Sequence, residues 1–324
     1  MFKKYKSKII YSVVLGAIVF LGLSIYANLG ELLTAFGQFN WFLFPLLLVL
    51  SFCNYSARFL KWDYYTKVLE IKIERKMSFI IFLSSFIMAV TPGKIGEVFK
   101  SYLLKEQSGT PISKSAPIVI AERITDFLSL ILLSIIGAIT FNYGKVLMIT
   151  IGLLFILLIS LISSKKLSYG IIKIFEKFKY FSRISHKIHI AYDSIYRMVK
   201  IKELIVTIFL SIFAWFFECT GFYIVINGFS FENYIPINIF IATFIYGFAT
   251  VAGAVTMLPG GLGATDASIT GLLILFSIPK NIAVASTLLI RVATLWFAVI
   301  VGIVAVLFYQ KISHKKVSEL VLDT

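Results

Sequence analysis

Six stretches of the chain are apolar over enough residues to cross a lipid bilayer as helices. A spanning helix needs roughly 20 consecutive, mostly apolar residues. The six stretches are residues 9–29, 41–60, 117–140, 146–163, 204–226 and 282–309. This pattern predicts an all-α polytopic membrane protein with about six full spans, in which residues 1–324 form a single membrane domain.

Two further apolar stretches are interrupted in their middle by proline and glycine. Residues 77–104 contain the segment TPGKIGE at 91–97, and residues 237–276 contain LPGGLGATD at 258–266. Proline removes a helical hydrogen bond and clustered glycines loosen the backbone, so neither stretch is expected to form a continuous helix. The pattern predicts two re-entrant or broken helical hairpins, which exist at membrane depth only where protein or a water-filled cavity surrounds them.

The positions of the basic residues predict how the chain crosses the membrane. If both broken stretches return to the side from which they enter, 26 of the 31 lysines and arginines fall on one side. Cytoplasmic loops are enriched in lysine and arginine, so this side is predicted to be the cytoplasm. The segments are the amino-terminal tail, 58–76, 100–114, 164–203 and the carboxyl-terminal tail. We therefore expect a multi-pass protein of the cell membrane with both termini in the cytoplasm.

The order of spans and breaks repeats once along the chain. Residues 9–140 and 146–309 each consist of two spans, a broken hairpin and a further span. An intramembrane arginine, Arg123 or Arg291, follows the proline of each break by 31 or 32 residues. The first break enters from the predicted cytoplasmic side and the second from outside, so the two halves form a predicted inverted repeat. Inverted repeats with broken helices at matching positions are typical of transporters that bind substrate between the halves.

The segment 164–203, between the first two spans of the second half, is strongly basic. It has ten basic residues against three acidic ones, interleaved with isoleucine, phenylalanine and tyrosine. This composition predicts an amphipathic connector on the cytoplasmic leaflet, where basic residues attract anionic lipids. The alternative is a connector that sets the topology and binds no specific ligand.

The composition narrows the class of protein. Apolar residues make up 59% of the chain, charged residues 15%, and the mean hydropathy is +0.92. Soluble domains are about 45–50% apolar and about 25% charged. An ordinary soluble domain, a disordered chain and a secreted disulfide scaffold are therefore excluded. Cys53 and Cys219 both lie in apolar stretches, and we expect neither a metal site nor a cofactor.

Ionisable residues inside the apolar segments are the candidate functional residues. A charge in a membrane helix costs roughly 2.5–3.5 kcal/mol on insertion scales, so it needs a partner or a function. Arginine has a bidentate fork suited to phosphate, and helix N-termini after each break would add positive dipole ends. The predicted substrate-binding residues are Gly93, Lys94, Gly96, Glu97, Glu122, Arg123, Asp126, Gly260, Gly261, Gly263, Thr265, Asp266 and Arg291.

Several of these residues also have structural interpretations. Pairing of Arg123 with Glu97, and of Arg291 with Asp266, would lock each break to the neighbouring span. Glu97, Thr265 and Asp266 are also placed where the second half of each broken helix should start, so they are candidate helix caps. The sequence leaves the binding and the structural interpretations open.

Glu218 stands alone in the apolar stretch 204–226. A carboxylate inside a membrane helix can relay protons through a transporter. It can equally be a hydrogen-bonded packing residue, and both interpretations stay open.

Four motifs, in order, resemble one family. They are TPGKIGE at 91–97, AERITD at 121–126, LPGGLGATD at 258–266 and LIR at 289–291. Together they look like the transmembrane flippase domain of the lysylphosphatidylglycerol synthase/flippase family, in a stand-alone form. The resemblance extends over nearly the whole chain and implies movement of a lipid between leaflets, with aminoacylated phospholipids or lipid-linked sugar carriers as the family's substrates. Bifunctional members continue into a soluble aminoacyl-transferase domain, and because this sequence ends at Thr324 after a short basic tail, we expect no synthase activity.

The leading hypothesis is therefore a lipid flippase or transporter and not an enzyme. It would move an anionic phospholipid or a lipid-linked sugar carrier between leaflets, with the bilayer as its surroundings and no nucleic-acid partner. One alternative is an integral membrane enzyme that acts on a lipid-linked substrate through Glu122 and Asp126. A second is a membrane scaffold or partner protein that docks through 164–203.

Overall fold

The structure, a computed structural model, describes residues 2–91, 96–140, 145–230 and 237–313, and α-helices make up most of these ranges. The helices are α1 (Phe2–Tyr26), α2 (Leu29–Gly37), α3 (Phe44–Val68), α4 (Arg75–Ser84), α5 (Phe99–Ser108), α6 (Ile112–Ser115), α7 (Pro117–Thr140), α8 (Lys145–Ser163), α9 (Lys165–Glu176), α10 (Lys179–Ser182), α11 (Ser185–Met198), α12 (Ile201–Asn227), α13 (Ile239–Val255), α14 (Ala264–Leu275), α15 (Lys280–Arg291) and α16 (Phe297–Ser313). Short 3-10 segments at Trp41–Leu43, Ser85–Met88 and Pro259–Gly261, and a π-helical turn at Val292–Trp296, lie between them. The prediction of an all-α polytopic membrane protein is confirmed.

Three helical stretches of the described chain are long and apolar enough to cross a membrane. They are Trp41–Val68, Ile201–Asn227 and Lys280–Ile312. Two bent helix pairs raise this number to five if each pair is one span. These five overlap the predicted spans that begin at residues 9, 41, 146, 204 and 282.

The remaining predicted span, 117–140, is the continuous helix α7. Its 24 residues would extend about 36 Å, which is enough to cross a bilayer. It carries Glu122, Arg123 and Asp126 near its amino-terminal end. A total of six full spans stays a prediction.

The first and fourth predicted spans end in sharp turns. Val14–Tyr26 meets α2 at 93°, and Met148–Ser163 meets Lys165–Ile174 at 85°. At the first turn the Asn28 side chain accepts a hydrogen bond from the Gly30 amide at 3.1 Å and caps α2. Each of these two apolar stretches therefore continues into a helix that lies nearly at a right angle to the span before it.

Both predicted breaks interrupt helices. The first lies between α4 and α5, and the second between α13 and α14. In the second break Gly260 and Gly263 have φ values of 59° and 84°, in the region that residues with a Cβ rarely adopt. The helix–break–helix pattern predicted from proline and glycine is therefore present at both places.

Long-range packing brings the two halves of the chain together. α3 packs along α12, α7 packs along α13, and α16 packs on α4 and the 3-10 segment after it. The last contact is backbone against backbone, because a Cβ on Gly302 would lie 2.2 Å from the Ile87 amide nitrogen. The carboxyl-terminal span therefore supports the segment that leads into the first break.

Candidate functional site

Charged side chains from α3, α5 and α7 meet beside the first break. The cations are Arg58, Lys61, Lys100 and Arg123, and the carboxylates are Glu97, Glu122 and Asp126. We call this set the first ion-pair network. Six of its members are buried and the Arg123 side chain is 19% exposed. Charges can remain at this depth because each has a partner, whereas an unpaired buried charge is strongly unfavourable.

Asp126 is the centre of the first ion-pair network. Its carboxylate lies 2.5 Å from Lys61 Nζ, 3.3 Å from Arg123 Nη2 and 3.8 Å from Arg58 Nη2. Ser211 on α12 completes the site, since its hydroxyl accepts from Lys61 Nζ at 2.6 Å and donates to Asp126 Oδ1 at 3.2 Å. Three helices thus share one carboxylate.

Lys100 forms the second arm of the network. Its Nζ lies 2.5 Å from Glu122 Oε2 and also sits over two aromatic rings, 4.5 Å from the centroid of Trp62 and 5.5 Å from that of Phe82. A buried ammonium gains from the negative face of an aromatic ring as well as from a carboxylate. Trp62 is itself held by a hydrogen bond from its Nε1 to Ser78 Oγ at 3.0 Å.

An arginine ties the first break to α7. Arg123 Nη2 lies 3.1 Å from Glu97 Oε2, so the pairing of these two residues that the sequence suggested is present. The ends of the break are also joined, because the Gly96 amide donates to Thr91 Oγ1 at 2.9 Å. The residue before α5 is Val98, which makes no side-chain capping hydrogen bond.

A second arginine ties the second break to α15. Arg291 Nε lies 2.9 Å from Asp266 Oδ1, and Arg291 Nη2 donates to the Gly260 carbonyl at 2.6 Å. Asp266 also caps α14, since its Oδ2 accepts from the Gly263 amide at 2.8 Å. The cap predicted for Asp266 and its pairing with Arg291 are therefore both present. We call the Arg123–Glu97 and Arg291–Asp266 pairs the arginine locks.

The helix is wound more widely directly after the second arginine lock. Val292–Trp296 forms a π-helical turn, in which carbonyl groups lose their regular helical partners. Two side chains of α3 supply replacements: Ser51 Oγ donates to the Ala293 carbonyl and the Tyr55 hydroxyl to the Thr294 carbonyl, both at 2.8 Å. Helix α3 therefore contacts the first ion-pair network through Arg58 and Lys61. It contacts the turn after the second arginine lock through Ser51 and Tyr55.

Glu218 lies on α12 and is buried. The Tyr246 hydroxyl donates to Glu218 Oε2 at 2.6 Å, which provides the hydrogen bond that the packing interpretation requires. Proton relay through Glu218 stays a prediction. Thr265 is also buried, against the backbone of Gly253 and Gly261.

The structure assembles most of the predicted site residues in two groups. Gly96, Glu97, Glu122, Arg123 and Asp126 lie at the first break. The second group, at the second break, comprises Gly260, Gly261, Gly263, Thr265, Asp266 and Arg291. Gly93 and Lys94 lie outside the described residues.

Three network cations were missed as site residues and assigned to cytoplasmic segments. Arg58, Lys61 and Lys100 are buried in ion pairs, so they are not solvent-exposed loop residues. Helix α3 continues to Val68 and places Arg58 and Lys61 on its buried face. The side of the membrane on which these segments lie stays a prediction. A signal was present: Ser51, Asn54, Arg58, Lys61 and Tyr65 follow one another at spacings of three and four, which is one helical face.

The predicted connector 164–203 forms helices α9, α10 and α11. Glu176 at the end of α9 accepts hydrogen bonds from Ser185 and His189 of α11, and these bonds lower the pKa of its carboxyl group. Ile171 and Ile174 on the same helix are exposed, as an amphipathic surface helix requires. Its contact with the cytoplasmic leaflet stays a prediction.

The described residues contain no group of three or more histidines, cysteines and carboxylates placed to hold a metal ion. The two carboxylates that an enzyme would use, Glu122 and Asp126, are both held by lysines at 2.5 Å.

Comparisons with known proteins agree with the motifs. A family model described as the lysylphosphatidylglycerol synthase TM region matches residues 9–302. A UPF0104 membrane protein of Methanothermobacter thermautotrophicus is 23% identical over 348 residues, which cover 98% of this chain and 100% of the relative. A UPF0104 membrane protein of Methanocaldococcus jannaschii is 26% identical over 278 residues, covering 79% of this chain and 81% of the relative. Because the family model covers most of the sequence, this multi-pass membrane protein belongs to the family of the lysylphosphatidylglycerol synthase transmembrane region.

Proposed function

We propose that the protein is a flippase that moves a lipid with an anionic headgroup between the leaflets of the cell membrane. The observation that carries the proposal is a partly exposed arginine at the edge of the first ion-pair network. Four cations and three carboxylates are linked there in the described residues, and the Arg123 side chain is 19% exposed. A lipid phosphate that reaches this arginine gains charge-assisted hydrogen bonds.

Arg123 is the residue best placed to receive the headgroup. It is the most exposed member of the network, and its Nε makes no hydrogen bond to another described residue. Its two ion pairs, at 3.1 and 3.3 Å, both use Nη2. The Nε is thus a buried donor without a hydrogen-bond partner in the described residues, and a phosphate that enters beside the guanidinium would satisfy it.

The two arginine locks suggest how binding is coupled to movement. A phosphate on Arg123 competes with Glu97 and so weakens the lock on the first break. The second lock, Arg291 with Asp266, lies in the matching position of the predicted inverted repeat. We propose that the halves rock about the two breaks, with the headgroup between them and the acyl chains in the bilayer. In this arrangement both termini are in the cytoplasm, as the basic residues predict.

Leaflet exchange in proteoliposomes tests the proposal. The probes are fluorescent phosphatidylglycerol and phosphatidylcholine, with unlabelled polyprenyl phosphate as a competitor that represents lipid-linked carriers. Arg123→Gln removes charge-assisted hydrogen bonds worth about 1.5–3 kcal/mol, so we expect phosphatidylglycerol exchange to slow roughly tenfold or more. Arg197→Gln is the matched control, because Arg197 pairs with Glu70 on the exposed surface. Equal exchange rates for wild type and folded Arg123→Gln would contradict the proposal.

A second variant separates headgroup binding from a purely structural role. Glu97→Gln breaks the same arginine lock but leaves the Arg123 charge in place. If Arg123 binds the headgroup, Glu97→Gln retains much more exchange than Arg123→Gln. Equal losses in the two variants would indicate that the lock alone matters. Faster exchange of phosphatidylglycerol than of phosphatidylcholine, together with its inhibition by polyprenyl phosphate, would identify a lipid whose headgroup has a net negative charge as the substrate class.

The enzyme alternative receives less support from the geometry. General acid–base chemistry needs carboxylates that can exchange protons with a substrate. Glu122 and Asp126 are buried, and each is held in an ion pair with a lysine at 2.5 Å. The scaffold alternative rests on α9–α11 alone and explains neither break.

A further inference from the structure

An apolar groove lies on the outside of the bundle, between α3, α4 and α12. It has a volume of about 500 Å³ and is open along one side. Cys53, Ala57 and Leu60 of α3 form its floor, and Phe79, Phe213 and Phe217 form its walls. Ligand clefts in proteins have volumes of about 300–1,000 Å³, so the groove is large enough for part of an amphiphile.

The groove has one charged residue in its lining. Arg75, the first residue of α4, lies at its rim with the side chain 67% exposed. Its Nε is 3.9 Å from Asp63 Oδ2, but Lys67 Nζ holds the same oxygen at 2.8 Å. Two cations therefore share one carboxylate, and Arg75 makes no hydrogen bond within the described residues. The guanidinium keeps its donors for an external anion.

The combination of an apolar trough and a cationic rim matches one kind of ligand. In a bilayer, apolar walls alone do not select a ligand, because lipid tails are as apolar as the side chains. Selectivity must then come from Arg75, whose planar fork fits a phosphate and whose charge disfavours a headgroup that carries its own cation. From Cys53 to Leu60 the groove floor follows α3 for about 10 Å, the length of several methylene groups.

We propose that this groove binds one acyl chain of an anionic phospholipid whose headgroup phosphate pairs with Arg75. The site is separate from the proposed transport route. Ala57 and Leu60 line the groove, whereas Arg58 and Lys61 on the neighbouring face of α3 belong to the first ion-pair network. The lipid in the groove is a resident ligand, and the proposal does not depend on leaflet exchange.

Native mass spectrometry of the full-length protein tests the site. The protein is purified in detergent and mixed with equimolar phosphatidylglycerol and phosphatidylcholine of the same chain length. We expect wild type to retain phosphatidylglycerol preferentially. Arg75→Gln should reduce this preference roughly tenfold, the value of one charge-assisted hydrogen bond. Lys76→Gln removes the same charge from a neighbouring exposed position outside the groove and should leave the preference unchanged.

A steric variant tests the groove itself. Leu60→Trp fills the floor and should abolish retention of the lipid, whereas Leu46→Trp, at an exposed position of the same helix, should not. Equal effects of Arg75→Gln and Lys76→Gln, or full retention by folded Leu60→Trp, would overturn the proposal. A dimer mass that disappears in Leu60→Trp would also overturn it, because a second copy of the chain would then fill the groove.

Photo-crosslinking gives an independent readout that does not need a variant. Phosphatidylglycerol with a diazirine in its acyl chain should label peptides that contain residues 53–60 and 213–217. Labelling spread evenly over the exposed apolar residues of α1, α8 and α16 would show bulk lipid and contradict a specific site.

Discussion

Asp126 shows how a membrane helix can carry a buried charge. The carboxylate has three cations within 3.8 Å and a hydroxyl from a further helix. Its removal would take away the ion-pair partner of both Lys61 and Arg58, whereas removal of one cation leaves the carboxylate with two others. The arrangement therefore depends more on the single anion than on any one of its partners.

This asymmetry predicts unequal costs for the two partners of the shortest pair. Asp126→Asn should lower the free energy of unfolding by about 3–5 kcal/mol, because it leaves buried cations uncompensated. Lys61→Met should cost clearly less, since Arg58 and Arg123 still face Asp126. The measurement is chemical unfolding in detergent micelles.

An exposed pair on the same helix provides the control. Lys67 pairs with Asp63 at 2.8 Å, and the Lys67 side chain is 71% exposed. Lys67→Met should change the free energy of unfolding by less than about 1 kcal/mol. A larger loss for Lys61→Met than for Asp126→Asn would show that the carboxylate is not the centre of the network.

At the scale of the element, α3 joins the two breaks. Its buried face carries Ser51 and Tyr55, which bind the π-helical turn, and Arg58 and Lys61, which bind α7. The second lock is likewise built from separate contacts, one from Arg291 Nε to a carboxylate and one from its Nη2 to a backbone carbonyl. Such an arrangement needs the shape of a guanidinium and not only its charge.

Arg291→Lys should therefore fail to replace arginine. A lysine has a single nitrogen and cannot contact both Asp266 and the Gly260 carbonyl, so we expect a loss of about 1.5–3 kcal/mol in the free energy of unfolding. Arg197→Lys, at an exposed single ion pair, should be neutral. Thermal unfolding and limited proteolysis near residue 260 measure the effect, and equal stability of Arg291→Lys and wild type would disprove the shape requirement.

At the scale of the whole molecule, the two halves meet where α16 packs against the segment before the first break. This contact needs glycine at position 302, since any side chain would meet the Ile87 backbone. Backbone atoms cannot move aside as a flexible side chain can, so a methyl group there must separate the helices.

Gly302→Ala should lower the unfolding temperature and slow leaflet exchange. Gly271→Ala is the matched control, because a Cβ on this exposed helical glycine meets no atom within 4 Å. Alanine favours a helix by roughly 0.5–1 kcal/mol over glycine, so Gly271→Ala should be neutral or slightly stabilising. If both variants behave alike, the close contact of α16 does not couple the halves.

Sequence reasoning succeeded where the signal was local and failed where it depended on packing. Proline and glycine residues predicted both breaks. The similar distance of Arg123 and Arg291 from the proline of each break identified both arginines. Lys61 was missed because apolar run length ended its span too early, although α3 continues through the basic residues to Val68. Lys100 lacked any local signal: its burial depends on Trp62 and Glu122 from distant helices.

The π-helical turn after Arg291 has a consequence for how the sequence can vary. Arg291 and Gly302 are eleven residues apart. In a regular α-helix this separation is a rotation of three full turns plus about 20° about the helix axis, so both residues would lie on the same face. One extra residue in the turn rotates them apart by about 100°, which lets Arg291 reach the second break while Gly302 faces the first. Deleting a single residue from 292–296 would remove either the contact of Arg291 with the second break or the contact of Gly302 with the segment before the first break. We therefore expect relatives to keep the spacing between this arginine and this glycine, with insertions and deletions falling elsewhere in their sequences.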